Sequence, residues 1–127
     1  MIVLDARVLI AHFEATDAHH DRATWLLLDV ADEQLAASPL TLAEVLVGPA
    51  RVGRMAQAQA ALRDLGVTSI PLDKAAPSEL ASLRADTRLR LPDCSVLLAA
   101  ASVQATVATF DQRLAAAAAA LGQAVRS

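Results

Sequence analysis

Four carboxylates, Asp5, Glu44, Asp93 and Asp111, stand at the junctions where apolar runs end or helical patterns begin. Each has a structural explanation of its own. Asp5 and Asp111 follow strand-like runs and fit the N-cap of the next helix. Glu44 lies three residues after Thr41, the spacing of a capping box, and Asp93 follows Pro92 in the arrangement favoured for a first helical turn. Together they suggest more. Acids delivered to one cleft repel each other unless protons or cations neutralise them. Mg²⁺ and Mn²⁺ prefer such oxygen ligands. A cation held this way makes a water nucleophilic and stabilises a transferring phosphoryl group.

Those positions acquire meaning from the elements around them. Ile2 to Leu4 is a short aliphatic run suited to a strand buried on both faces of a parallel sheet. It ends at Asp5, the edge where open α/β sheets place ligands. Helical spacing follows over Val8 to Phe13 and His20 to Leu28, with a weak strand over Gln34 to Ala37. A helix over Thr41 to Val47 should end at Gly48-Pro49. Another is expected over Arg51 to Leu65, closed by Gly66 as a C-cap. Val67 to Leu72 is an edge-like strand because of Pro71. A helical stretch over Asp73 to Arg88 is interrupted near Pro77, which puts its start at Ser78. Leu91-Pro92-Asp93 opens an apolar helix over Cys94 to Val103. Thr106 to Phe110 is a fourth strand, Leu114 to Leu121 a helix with an alanine run, and Gln123 to Arg126 a short last strand. This alternation implies parallel strands joined by right-handed crossovers, with helices on both sheet faces. Strands one and four would each bring an Asp to the same edge, with Glu44 and Asp93 in the first turns of helices starting nearby. Most other acids, including Asp29, Asp32, Glu33, Asp64 and Asp86, lie on helix flanks and read as solvated.

The totals set bounds. With 127 residues and no linker or internal repeat, one domain is expected over 1–127. Hydrophobic residues make up 55% but aromatics only 2%, so the core is aliphatic. A lone cysteine, Cys94, rules out an internal disulfide and a cysteine zinc cage. The N-terminal run is too short for a signal peptide or membrane span, so a reducing cytoplasm is the expected location. A net charge of −3 argues against a broad, non-specific nucleic-acid surface, though not against a local basic patch.

Other reactive residue types have modest signals. His12, His19 and His20 have no acid or nucleophile at a diagnostic spacing and read as packing or solvated groups. Cys94 reads as a buried thiol. Thr109, two before Asp111, is placed to orient it, or is an ordinary strand residue. Arg84, Arg88 and Arg90 precede Asp93 and read as a solvated face or an RNA-backbone contact. No aromatic platform for stacking single-stranded RNA is visible. Trp25 and Phe13 are assigned to the core, and the apolar Trp25 to Leu28 run would suit a dimer or partner surface.

The four acids in their segments, Val-Leu-Asp5-Ala-Arg, Leu-Thr-Leu-Ala-Glu44-Val-Leu, Leu-Arg-Leu-Pro-Asp93-Cys and Thr-Phe-Asp111-Gln-Arg-Leu, resemble the acids of the PIN-domain family, and more narrowly of the VapC-type toxins of VapBC toxin–antitoxin pairs. The resemblance covers nearly the whole chain and keeps the order and spacing of all four. It implies a three-layer α/β/α fold with a central parallel sheet. It also implies Mg²⁺- or Mn²⁺-dependent endoribonuclease activity, with Asp5, Glu44, Asp93 and Asp111 as catalytic and metal-binding residues and 5′-phosphate and 3′-hydroxyl products. A homodimer and a VapB-type antitoxin covering the cleft are implied too. Asp17-x-x-His20-x-x-Ala23 is a further pattern common in that family. One departure is Arg7, where the family often has a small hydroxyl or amide residue. A guanidinium there could grip RNA, pair with a site acid or point away. The alternatives to a nuclease are a PIN-fold protein acting mainly as a binding partner, and a phosphoacceptor receiver domain, for which Lys74 is the only available late lysine.

Overall fold

The computed structural model describes residues 1–127. Its five short strands, β1 (Ile2–Leu4), β2 (Leu35–Ala37), β3 (Val67–Ser69), β4 (Thr106–Ala108) and β5 (Val125–Arg126), form one all-parallel sheet in the order β3-β2-β1-β4-β5. Seven helices connect them: α1 (Ala6–Phe13), α2 (His20–Asp29), α3 (Pro39–Arg51), α4 (Met55–Leu65), α5 (Ala76–Thr87), α6 (Leu91–Val103) and α7 (Gln112–Ala120).

Alternation along the strands divides the interior into two cores. Ile2, Leu4 and Ala108 face one side, where they meet Val8 and Leu9 of α1, Leu26 and Leu27 of α2, Val45 of α3 and Leu62 of α4. Val3, Ala36 and Val107 face the other, against Val96, Leu97 and Ala100 of α6 and Leu114 and Ala118 of α7. All of β1 is buried, which explains why its three residues are uniformly aliphatic rather than alternating. The result is the expected three-layer α/β/α architecture.

The strand order reverses direction at β1. From there the chain runs outward to β2 and β3, then returns to add β4 and β5 on the other side. Ile2, Val3 and Leu4 pair with Thr106, Val107 and Ala108 of β4. The crevice beyond the C-terminal ends of β1 and β4 is therefore the topological switch point, the usual ligand position in an open parallel sheet.

Several local expectations are corrected. The helix containing Glu44 does not stop at Gly48-Pro49; α3 runs from Pro39 through Pro49 to Arg51. Pro49 removes one i→i−4 bond from the last turn of α3, and its carbonyl accepts from Val52 and Arg54 as the helix ends. A turn at Val52-Gly53, with Gly53 at φ +70°, then delays α4 to Met55. Helix α5 begins at Ala76, ahead of Pro77, which fits the first turn. Strand β4 ends at Ala108, so Thr109 and Phe110 lie beyond it. β3 is shorter than expected but does sit at the sheet edge, and Gly66 caps α4 at φ +84°. Trp25 and Phe13 are not core residues. Trp25 is 72% exposed and Phe13 41%. In α2 the inward stripe is Ala23, Leu26, Leu27 and, just beyond it, Val30, so Trp25 and Leu28 face outward.

Candidate active site

Asp5 occupies the switch point. Its backbone N–H is held by the Ala108 carbonyl of β4 at 3.0 Å. It has the extended backbone of an N-cap for α1, yet its side chain makes no capping bond. The capping explanation therefore fails for Asp5. The residue is only 4% exposed, and the one side chain bonded to its carboxylate is the fully buried Thr109, whose Oγ1 donates to Oδ2 at 2.8 Å. A buried carboxylate held only by the Thr109 hydroxyl and a weaker interaction with the Ala6 backbone N–H is poorly compensated for lost hydration. Burial pushes the Asp5 carboxyl from 3.8 up to about 6; the Thr109 bond opposes the rise, and the negative fields of Asp93 and Asp111 add to it.

Asp93 stands at the third position of α6, where the N-terminal dipole favours an anion. Burial raises its carboxyl above the ordinary value, and Asp111 raises it further. Arg90, 3.7 Å away at Nε, works against that rise; it is well exposed, so the pair is a weak one. Asp111 is the N-cap of α7. Its Oδ1 accepts from the backbone N–H groups of Arg113 at 2.8 Å and Leu114 at 3.2 Å. The capping explanation is thus correct for Asp111, but it engages one oxygen and leaves Oδ2 free. Thr109 links the two sides of the crevice: its Oγ1 also accepts the Asp111 N–H at 3.0 Å. It orients the carboxylate of Asp5 and the backbone, not the side chain, of Asp111.

Glu44 is not part of a capping box. The N-cap of α3 is Ser38, whose Oγ accepts from Thr41 N–H at 3.1 Å. Glu44 therefore sits a turn deeper, half-buried and without a side-chain partner. It borders a groove of about 610 Å³ together with Phe13, Glu14, Val47, Val52 and Arg54. Its charge is not among those acting on Asp5 or Asp93. The N-termini of α3 and α6 are nevertheless locked together: Ser38 Oγ and Ser95 Oγ lie 2.7 Å apart, both fully buried, and Ser95 also donates to the Pro92 carbonyl. That bond fixes the helix of Glu44 against the helix of Asp93.

The structure therefore brings Asp5, Asp93 and Asp111 into one electrostatic neighbourhood and leaves Glu44 on its flank. It does not assemble three or more acidic, histidine or cysteine side chains into a ready metal cage. Arg7 is exposed and makes no ion pair; it does not neutralise Asp5. Lys74 lies in the turn after the edge strand β3, two strands from β1, which removes the receiver-domain alternative. Cys94 is buried, and burial pushes its thiol up, which disfavours the thiolate. His20 Nδ1 is 2.9 Å from the Ala11 carbonyl and His12 Nδ1 is 3.0 Å from Thr24 Oγ1, which ties α1 to α2 and makes both histidines structural. Arg84 donates to the Leu89 carbonyl at 2.8 Å and closes the α5–α6 turn. The sequence reading missed the role of Thr109 toward Asp5, a contact across 104 residues with no local signal.

A three-layer α/β/α domain with carboxylates gathered at its switch point defines a class of acidic-site α/β proteins. Residues 2–120 match the PIN domain, and the chain belongs to that family. No curated protein matches it. Among solved structures it resembles a toxin–antitoxin complex from Klebsiella pneumoniae, with a TM-score of 0.73, 23% identity and 91% of each chain covered. It also resembles VapC20 of Mycobacterium tuberculosis, described as a sarcin-ricin-loop-cleaving toxin, with a TM-score of 0.76, 19% identity and coverage of 92% of this chain and 95% of that one. FitAcB from Neisseria gonorrhoeae aligns with a TM-score of 0.72 at 21% identity, covering 100% and 97%. No helix is long and apolar enough to cross a membrane.

Proposed function

We propose that this chain is a metal-dependent endoribonuclease, the toxin of a VapBC-type pair, and that Asp5, Glu44, Asp93 and Asp111 are its catalytic and metal-binding residues. The observation that carries the reading is Asp5: a carboxylate at the switch point with no capping duty, which burial pushes up to about 6, with the negative fields of Asp93 and Asp111 adding to the rise. Such a group is unfavourable alone and becomes favourable beside a cation.

The donor chemistry fits Mg²⁺ or Mn²⁺, since every candidate ligand atom is a carboxylate oxygen. Asp5 and Asp93 would hold the ion, the free Oδ2 of Asp111 would complete the acidic ring, and Glu44 would enter from α3, with water filling the remaining positions. When bound, the ion supplies a nucleophilic water at neutral pH and charge neutralisation at the phosphate. Thr109 keeps Asp5 aimed into the crevice. The Ser38–Ser95 bond keeps α3 and α6 in register, so that Glu44 and Asp93 approach one substrate from adjacent helices. Hydrolysis adds the water oxygen to phosphorus and breaks the P–O3′ bond, leaving a 5′-phosphate and a 3′-hydroxyl.

An antitoxin partner is supported by the toxin–antitoxin complexes among the structural relatives. It is also supported by the groove beside Glu44, where Phe13, Val47 and Val52 are large apolar residues open to solvent. Trp25 and Leu28 on the outer face of α2 offer a second apolar surface, suited to a homodimer contact. The cytoplasm is the proposed site of action. The test is cleavage of cellular RNA by the purified chain with Mn²⁺. Cleavage should vanish with EDTA and fall by orders of magnitude in Asp5→Asn. A folded chain that binds partners but cuts nothing would favour the non-catalytic alternative.

A further inference from the structure

Beside the acidic site lies a cluster that the proposed chemistry does not use. Phe110 immediately precedes Asp111 in the segment leaving β4, and its ring is half-buried against the core. The Arg22 guanidinium of α2 sits over that ring, with Cζ 4.4 Å from the centroid. The His19 ring packs on Phe110 as well, 5.8 Å away and tilted. Arg22 and His19 are both exposed. Arg22 makes no ion pair, and the nearby Asp17 carboxylate is already held by the His19 backbone N–H at 2.8 Å. The arrangement leaves an unpaired cation held on an aromatic ring whose residue adjoins Asp111 in the chain.

We propose that Arg22, seated on Phe110 with His19 beside it, is the docking point that brings single-stranded RNA to the acidic site. The proposal rests on the nuclease reading and specifies how its substrate is held. A polyanion approaching four carboxylates needs a positive contact nearby, and the chain's net charge of −3 provides no general attraction. Arginine meets phosphate through a planar fork of donors, and its plane can stack on an unpaired base. Holding the guanidinium on Phe110 reduces the rotamer freedom lost when RNA binds. Both features favour a flexible single strand, whose bases can turn outward, over a duplex. Arg22 and Phe110 are positioning residues in this account.

The experiment measures binding and cleavage separately. Fluorescence anisotropy of a short fluorescein-labelled single-stranded RNA is recorded with the full chain in EDTA across a salt series, and cleavage of the same RNA is then followed with Mn²⁺. Arg22→Ala should weaken binding about fivefold and reduce the salt slope by about 0.7, the loss of one phosphate contact on a single strand. In cleavage, most of its loss should fall on KM. Arg22→Lys should keep the salt slope while losing part of the affinity, because charge remains without the stacking plane. Phe110→Leu should weaken binding less than Arg22→Ala, and thermal melting confirms that each variant is folded. RNA affinity and salt slope unchanged in Arg22→Ala overturn the proposal, as does a parent chain that binds no RNA. Weaker binding of an acidic peptide with RNA binding intact also overturns it. A parent chain that binds RNA through Arg22 but cleaves none leaves the docking point standing and refutes the nuclease reading.

Discussion

Replacing Asp5 by Asn should make the metal-free protein more stable while it abolishes metal binding. Asp5 is 4% exposed, and burial pushes its carboxyl from 3.8 up to about 6. Folding therefore raises its proton affinity, so the native state binds more protons than the unfolded chain between those values, and stability falls as pH rises through that window. The difference is about two units at about 1.4 kcal/mol each, or roughly 3 kcal/mol at pH 7. By the same relation the penalty is about 0.5 kcal/mol near pH 4 and levels off above about pH 7. Asn carries no charge and avoids it. Part of the gain is returned, because the new amide N–H groups need partners in a buried site. A net gain of about 1–2 kcal/mol at pH 7 is expected, which for a domain of this size raises Tm by roughly 3–8 °C. The assay is thermal unfolding by circular dichroism in EDTA, parent against variant, from pH 4 to pH 8. The stability difference should grow in favour of Asn up to about pH 7. A difference that stays constant across that range would show that Asp5 carries no burial penalty, and the electrostatic argument for the site would fail.

Other perturbations separate the roles of neighbouring groups. Thr109→Val removes the hydroxyl that holds Asp5 and accepts from Asp111 while keeping the side-chain volume. It should cost about 1–3 kcal/mol of stability and lower RNA cleavage about tenfold, with Thr109→Ser restoring most of it in the same assay. At Asp111 the cap and the site can be told apart. Asp111→Asn retains the capping oxygen, so its melting point should stay near the parent's, whereas Asp111→Ala should lose about 1 kcal/mol; both should lose cleavage.

Legibility from sequence followed the range of the interaction. The buried strand ending at Asp5 was readable because Ile2, Val3 and Leu4 have only one comfortable environment in a parallel sheet. Asp93 was placed correctly because Pro92 marks a first helical turn. The α3 start is not legible locally, because Thr41-x-x-Glu44 mimics a capping box while Ser38, with its bond to Ser95, is the true cap. The outward position of Trp25 was available in the spacing of Ala23, Leu26, Leu27 and Val30 but was overridden by its hydrophobic type. Two features could not be read locally: the Thr109 bond to Asp5, and the meeting of Arg22 with Phe110. The first depends on the pairing of β1 with β4, the second on where α2 meets the segment leaving β4.

The most direct measurement is a calorimetric titration of Mn²⁺ into the purified chain at pH 7. Saturable uptake by the parent, absent in a folded Asp5→Asn protein, is the predicted result. No uptake by the parent, or equal uptake by both proteins, would contradict the account.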